Sequence, residues 1–197
     1  MSVREEHGNP LARFARRVLA DYEIYHIYRL DLLDRSCEKP AGIVLSTITD
    51  AAALKLSPDA ELQNLWRYAG DDAFGYSASI GGEFAGVCWY WAGERYRRER
   101  NFWPLEPDEA KLIQITTAER FRGRGLAYDL IRFGAQQIAK SGFHRAYARI
   151  WHSNHPSIRL FEKAGWRRVS LVANIRPRGR ARNLRIVIPT LRGGERR

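Results

Sequence analysis

The chain has 197 residues and a hydrophobic content of 45%, which suits one folded domain of ordinary size with a sizeable core. Its formal net charge is +11, carried by 28 Arg and only 5 Lys. Arginine binds phosphates and carboxylates with a planar fork of donors, so this composition favours an acidic partner: a nucleic acid, an anionic membrane surface or a phosphorylated cofactor.

Membrane-spanning proteins and cysteine-based metal proteins are excluded by what the sequence lacks. No run approaches the ~18 consecutive apolar residues that a spanning helix needs. Cys37 and Cys88 stand far apart, without the spacing of a metal site or a redox pair, so we expect free thiols and no bound metal. A cytoplasmic protein is the simplest interpretation.

The first 40 residues are predicted to form an N-terminal extension. Residues 1–9 are polar, and residues 10–20 have the spacing of a short basic amphipathic helix. We expect that helix to pack on the core; contact with a membrane surface is the alternative. Residues 23–30 are rich in aromatic and β-branched side chains and predict a strand.

The remaining elements alternate between strands and helices. The first part of this region predicts a strand at 43–48, a short helix capped by Asp50, a second helix capped by Ser57 or Asp59, and a hairpin at 73–80 and 84–91. A basic loop at 94–107 then leads to a strand at 110–117 and a helix at about 124–140. The last predicted elements are a strand at 145–151, a helix from Pro156 to Gly165, and strands at 166–172 and 185–188. This order predicts an α+β fold of three layers, α/β/α, with a right-handed parallel crossover in its second half.

The most informative motif is the turn Arg120-Phe121-Arg122-Gly123-Arg124-Gly125, between a predicted strand and a predicted helix. Glycine can take positive φ there and lets an anion approach the backbone closely. At a helix start several N–H groups converge where the helix dipole also favours negative charge. The turn therefore predicts a pyrophosphate site with arginines beside it; a plain glycine-rich turn is the alternative.

Together with a second motif, this turn resembles the GCN5-related N-acetyltransferase (GNAT) superfamily. The turn is similar to that family's Gln/Arg-x-x-Gly-x-Gly/Ala motif, and Asn154-His155-Pro156-Ser157 followed by Leu160–Trp166 is similar to its second acetyl-CoA motif. The resemblance covers about residues 43–172. It implies a mixed, mostly antiparallel central sheet with a splayed parallel strand pair, and it divides the chain into an extension (1–40), an acetyl-CoA-binding domain (41–173) and a basic C-terminal strand and tail (174–197).

The resemblance also implies how acetyl-CoA is bound. Pantetheine would pair with the main chain between the splayed strands, the turn would hold the pyrophosphate, and Asn154 and Ser157 would contact the cofactor from the other side. The implied cofactor-binding residues are Ile115, Thr116, Thr117, Arg122, Gly123, Arg124, Gly125, Leu126, Ala127, Asn154, Ser157 and Phe161.

The implied reaction is direct attack of a primary amine on the thioester, without an acyl-enzyme intermediate. An alkylammonium pKa of about 10.4 makes a general base necessary. In some relatives a catalytic Glu stands eleven residues before the turn motif, which here is Glu109; a surface carboxylate in an acidic loop is the alternative. Strand alternation predicts one shared face for Glu109, Lys111, Ile113, Ile115 and Thr117, and an N–H near Ile115 would stabilise the oxyanion.

Phe161 departs from the family pattern, because many members have a tyrosine there that protonates the leaving thiolate. Thiols have a pKa of about 8.5, so the loss should slow transfer rather than abolish it, with Ser157 or water as the substitute donor. The departure also supports a second hypothesis, a domain that binds acetyl-CoA without catalysis and acts as a sensor.

The acceptor and the partners are less well determined. Aromatic residues around the hairpin (Trp89, Tyr90, Trp91, Tyr96 and Trp103) predict core packing or an acceptor pocket, so a small amine or amino sugar is favoured over a protein. The arginines of 176–185 suggest nucleic acid as a third hypothesis, which is not favoured because no aromatic residues alternate with them. Monomer and homodimer are both open.

Overall fold

One eight-stranded sheet organises the chain. The computed structural model describes residues 19–32, 42–177 and 184–190. The strands are β1 (Leu19–Asp31), β2 (Val44–Thr47), β3 (Ala73–Ile80), β4 (Glu83–Trp91), β5 (Glu109–Thr117), β6 (Arg145–Trp151), β7 (Arg167–Pro177) and β8 (Leu184–Pro189). Their spatial order is β2-β3-β4-β5-β6-β1-β7-β8, and every neighbouring pair is antiparallel except β5 and β6. The predicted mixed sheet with one parallel pair is confirmed.

Short and long helices flank this sheet. The α-helices are α1 (Ala60–Gln63), α2 (Gly93–Glu99), α3 (Leu126–Lys140) and α4 (His155–Lys163), and 3₁₀ helices cover Ala51–Leu56, Asn64–Tyr68 and Glu119–Phe121. Asp50 and Asp59 cap the first two helical segments with their carboxylates, as predicted. The prediction of a loop over 94–107 was wrong in its first part, because the buried Tyr96 and the Asp72 carboxylate, which accepts the Glu94 N–H, hold α2 in place.

β1 is an interior strand of the sheet. It pairs with β6 on one side and β7 on the other, and Tyr25, Ile27 and Tyr28 are fully buried. Residues 19–31 of the predicted extension therefore belong to the sheet, and the division of the chain into domains stays a prediction. The helix predicted over 10–20 falls mostly outside the described residues, and Leu19 and Ala20 already belong to β1.

Two helical layers cover opposite faces of the sheet. On one face, which we call the α3 face, the Cys88 thiol lies 3.8 Å from the Leu130 carbonyl of α3. On the other face, Trp91 donates to the Tyr68 carbonyl at 2.8 Å and stacks with the Arg95 guanidinium of α2. Because neighbouring residues of a strand alternate between faces, this arrangement gives the predicted three layers.

A β-bulge in β5 changes which residues share a face. Leu112 pairs with Tyr90 and Gln114 with Trp89, so Ile113 has no partner on β4. The predicted common face was therefore wrong. Glu109 and Lys111 share the α2 face with Gln114 and Thr116, while Ile115 and Thr117 lie on the α3 face.

Gly134 lets α3 lie close to the sheet, and replacing it by alanine should destabilise the protein. A methyl group there would stand 2.9 Å from Cε2 of Tyr90 and 3.2 Å from the Cys88 Sγ. Overpacking of this kind costs about 1–3 kcal/mol, whereas the gain in helix propensity is at most about 1 kcal/mol. Urea unfolding of Gly134→Ala should show a net loss of stability; a gain would mean that the helix shifts freely.

Candidate active site

The parallel strands β5 and β6 separate part-way along their length. They pair only from Glu109–Leu112 against Arg145–Ala148. Beyond Leu112, β5 continues beside β4 as far as Thr117, and β6 continues beside β1 as far as Trp151. The result is a wedge-shaped gap with an unpaired β5 edge at 113–117.

Main-chain groups of β5 are available on this edge. The N–H of Ala118, just after β5, donates to the carbonyl of Ala85 in β4 at 2.9 Å. Since successive residues of a strand alternate edges, the N–H and C=O groups of Ile115 and Thr117 point toward the gap, and those of Thr116 toward β4. The Thr117 carbonyl accepts from the Arg122 side chain at 3.2 Å.

The glycine turn lies at the open end of this gap. Gly123 and Gly125 have φ of 79° and 81°, and Gly125 stands as the N-cap of α3 without a side-chain cap. Within the part of the chain that the structure describes, no protein acceptor takes the N–H groups of residues 123–127. The Arg122 N–H differs from the prediction, because it donates to the Glu119 carbonyl at 3.2 Å. A run of five donors therefore converges at a helix start.

The three arginines of the turn have different partners. Arg120 forms an ion pair with Glu83. Arg122 contacts Glu61 of α1 at 2.6 Å, and this hydrogen bond raises the pKa of its guanidinium. Arg124 stacks on the Phe121 ring at 5.4 Å and has no ion pair among the described residues. Arg124 is therefore the turn arginine whose charge is available to a bound anion.

Asp59 fastens the turn to α1. Its carboxylate accepts the N–H groups of Glu61 and Leu62 as a helix cap, and that of Glu119 at 3.0 Å. Burial opposes the charged form, but these hydrogen bonds prevail and lower the pKa of the Asp59 carboxyl. The start of the turn is thus fixed before any ligand arrives.

A cavity of about 190 Å³ joins the end of β5 to the turn and α4. Its walls are Thr117, Phe121, Arg122, Gly123, Gly125, Leu126, Ala127, Tyr128 and Leu160. Tyr128 was not predicted, although its place in the first turn of the helix after the glycine motif was a usable signal. A larger cavity of about 620 Å³ lies between α3, α4 and the end of β1; it shares Tyr128 but contains none of the turn.

The second motif has a structural explanation as well. The Asn154 side chain accepts the Ser157 N–H at 3.2 Å and so caps α4. Phe161 is buried, with its ring 5.1 Å from Trp166 and 6.4 Å from Tyr28 between centroids. None of these three predicted site residues lines the cavity at the turn.

The sequence pattern of the Acetyltransferase (GNAT) family matches residues 25–166, which include β1, both splayed strands, the turn and α4. The chain belongs to this family. The match confirms the resemblance and begins in β1, earlier than the sequence motifs suggested. No curated protein matches the chain.

Solved GNAT structures have the same fold. A protein from Novosphingobium aromaticivorans, described as a GNAT-family acetyltransferase, is 26% identical with a TM-score of 0.56, over 80% of this chain and 65% of its own. A GCN5-related N-acetyltransferase from Sphaerobacter thermophilus (14%, 0.59) covers 85% of this chain and 56% of its own. The ribosomal-protein-S18-alanine N-acetyltransferase of Escherichia coli (17%, 0.50) covers 78% and 97%. This chain thus spans less than two thirds of the first two relatives.

Glu109 lies at the closed end of the GNAT gap. Its carboxylate is 4% exposed and accepts from Arg145 Nη1 and the Tyr147 hydroxyl, each at 3.2 Å, and from the Glu106 N–H at 3.0 Å. Burial, together with this carboxylate, raises the pKa of Tyr147 to about 12. Glu109 stands about 20 Å along the strand from Ile115. The alternative of a surface carboxylate was wrong, because this group is buried; its role as a base stays a prediction.

Lys111 is the site residue that the motifs did not indicate. Its side chain is 1% exposed, and Nζ lies 4.1 Å from the centre of the Phe102 ring without a hydrogen-bond partner among the described residues. Burial, assisted by the Arg149 guanidinium, holds the pKa of the Lys111 amine well below its ordinary value. A lysine directly between Ala110 and the apolar pair Leu112-Ile113 was the available signal.

The aromatic residues near the hairpin are mostly core. Trp89, Tyr90, Trp91 and Tyr96 are buried, and Trp103 is half-buried. Phe102, which was not singled out, lies between Lys111 and Arg149 instead. In the described residues no helix is long and apolar enough to cross a membrane, and no cluster of three metal-ligating side chains occurs.

Proposed function

We propose that the chain is an acetyl-CoA-dependent N-acetyltransferase that acetylates a primary amine of a small molecule or amino sugar by direct attack. Membership in the GNAT family supports acyl transfer in general. The observation that carries the proposal is the β5 edge at 113–117, which no described strand pairs, leading to five N–H donors at the start of α3 that have no acceptor among the described residues.

In this proposal the cofactor follows that edge. The amides of pantetheine pair with the main chain of Ile115 and Thr117, which faces the gap. The pyrophosphate accepts from the N–H groups of 123–127, and Arg124 adds the available charge. Leu160 and Tyr128 line the passage between the two, and Asn154 and Ser157 keep their proposed contacts from the other side.

Chemistry then takes place deeper in the gap. The Ile115 N–H, which faces the gap, donates to the thioester oxygen as negative charge develops there. Phe161 cannot protonate the leaving thiolate. Ser157 or water stays the proposed donor.

Two groups on the α2 face could accept the proton of the amine through bound water, since both are buried and stand away from Ile115 along β5. The Glu109 carboxylate already accepts from three donors. The Lys111 amine accepts and donates no hydrogen bond among the described residues, and its lowered pKa favours the neutral form with a free lone pair. We therefore favour Lys111 as the general base, with Glu109 as the alternative.

A panel of amines tests the enzymatic proposal. The full chain is incubated with acetyl-CoA and one of several amino sugars, aryl amines, alkyl amines or peptides, and release of the CoA thiol is followed with a thiol reagent. We expect release above the rate without acceptor for at least one small amine. Calorimetric binding of acetyl-CoA with no release for any amine would instead support the sensor hypothesis.

The nucleic-acid hypothesis has little support in the described residues. Arg176 and Arg185 belong to β7 and β8, and residues 178–183 between them lie outside the described ranges. Cytoplasmic localisation stays a prediction.

A further inference from the structure

The sheet ends in an uncovered apolar face. On the α3 face of β1, β7 and β8, two cross-strand rows are aligned: Tyr22–Ile175–Leu184 and Ile24–Ala173–Ile186. Ile188 continues the β8 column. We call this surface the wing face.

Exposure shows that the wing face lacks a cover among the described residues. Tyr22, Leu184 and Ile188 are 53–54% exposed and Ile186 is 40% exposed. Helix α4 covers the adjoining part of the same sheet face, where Phe161 packs on Tyr28. On this face β8 presents only the apolar side chains of Leu184, Ile186 and Ile188, because its charged residue, Arg185, lies on the opposite face.

The wing face also carries no formal charge near neutral pH. Its inner border is formed by His26, whose pKa is lowered by burial and by Arg168, with His152 acting in the same direction and Glu162 against it. On the other face of the same strands, Asn174 donates to Glu23 and Arg185 to the Phe102 carbonyl, and Val187 is the exposed apolar residue of β8. The aligned rows of exposed apolar side chains therefore lie on the α3 face.

We propose that the wing face is the interface of a symmetric homodimer, in which two copies of this chain pack their β1–β7–β8 faces against each other. A two-fold axis brings the same apolar rows together from both copies, as in aligned sheet packing. The proposal does not depend on the enzymatic one.

The area and the charge both favour a second copy as the occupant. Each of the four exposed side chains has about half of its surface accessible, which adds up to roughly 400 Å² of accessible surface per copy. If this surface and that of the half-buried neighbours were covered in both copies, the dimer would bury about 1,000 Å² in total, the size at which specific interfaces begin. A chain of net charge +11 repels its own copy. An uncharged face is where that repulsion is smallest, whereas an acidic partner would gain nothing from it.

Sedimentation equilibrium of the full chain tests this at concentrations of about 1–100 μM. We expect wild type to reach twice the 22.7 kDa monomer mass, and to associate more tightly in about 1 M salt because screening weakens the repulsion. Ile186→Lys should weaken the dimer by at least about 100-fold, because it buries an unpaired charge.

Matched controls separate this geometry from others. Val187→Lys changes an equally exposed residue of β8 on the opposite face, and Leu56→Lys changes an apolar residue that is 87% exposed elsewhere; both should stay dimeric. The Thr190 N–H donates to the Val169 carbonyl of β7, so by alternation the Val187 N–H points away from β7, toward the outer edge of β8. Val187→Pro removes this N–H. It should also stay dimeric.

Several results would overturn the proposal. One is a wild type that stays monomeric at every concentration. Another is a dimer that Ile186→Lys and Val187→Lys weaken equally. A third is a dimer that only Val187→Pro dissociates, which would mean that the copies pair through the free edges of their β8 strands. Ile188→Lys is the second variant if Ile186→Lys does not fold. Acetyl-CoA binding should be the same in monomeric variants, so failure here leaves the proposed function untouched.

Discussion

Replacing Gly123 and Gly125 together by aspartate should abolish acetyl-CoA binding, with at least a 100-fold loss of affinity in calorimetric titration. Both glycines have φ near 80°, where a side chain is strained, and both belong to the run of five N–H donors that have no acceptor in the described part of the chain. Two carboxylates at this position would also repel the pyrophosphate that the site is proposed to hold. The lower limit of about 100-fold corresponds to losing two charge-assisted hydrogen bonds of about 1.5 kcal/mol each.

Gly82→Asp provides the matched control for this experiment. Gly82 has φ of 84° and, like Gly123 and Gly125, open space where a Cβ would be added, but it lies in the β3–β4 turn. The Gly82→Asp substitution introduces the same backbone strain without touching the glycine turn, so the affinity of this variant for acetyl-CoA should equal that of wild type. Unchanged affinity in the double variant, shown to be folded by circular dichroism, would remove the pyrophosphate site from the proposal.

Replacing Lys111 by methionine should lower amine acetylation by about 10²–10⁴-fold while acetyl-CoA affinity stays the same. In wild type the transfer rate should rise with pH through the lowered pKa of Lys111, because only the neutral amine can accept a proton. The variant should lose that step of the pH profile. The acceptor is the small amine found in the panel.

The same variant should be more stable than wild type at neutral pH. The Lys111 pKa is lower in the folded state than in the unfolded chain, so the unfolded state binds more protons between the two values, and wild-type stability rises with pH there. Methionine has no proton to lose on folding. The free energy of unfolding of Lys111→Met at pH 7 should therefore exceed that of wild type by about 1–4 kcal/mol, as when other buried ionic groups are replaced by apolar ones. The pH-dependent part of this difference should vanish above a pH of about 10.4.

Glu109→Gln distinguishes the two candidate bases. An amide cannot replace the carboxylate charge facing Arg145, so we expect a loss of about 1–3 kcal/mol in urea unfolding. Its transfer rate per folded molecule should stay within about tenfold of wild type. A large loss of rate in Glu109→Gln beside an active Lys111→Met would reverse the assignment.

Local chemistry explains what could be predicted of the fold. Periodicity and caps located β3, β4, β6 and the helix after the turn within a few residues, because alternation and capping are written in adjacent positions. The α2 helix was not predicted because it lacks an apolar repeat: Tyr96 is its buried residue, and its other positions are mostly charged.

The candidate site divides in the same way. Gly123 and Gly125 could be assigned from sequence because positive φ is a property of glycine itself. The different tasks of Arg122 and Arg124 could not, since they depend on Glu61, which is 61 residues away along the chain. The lowered pKa of Lys111 could not be assigned from sequence either, since it depends on burial and on Arg149, which only the folded sheet brings to it.

By itself, the sequence determined the family, the order of most elements and the place of the glycine turn. Each depends on residue types at short, fixed spacings. The tertiary structure alone decided that β1 lies inside the sheet, that a bulge at Ile113 divides the faces of β5, and that β8 leaves an apolar face open. These features follow from long-range strand pairing, whose register depends on the whole sheet rather than on any one segment.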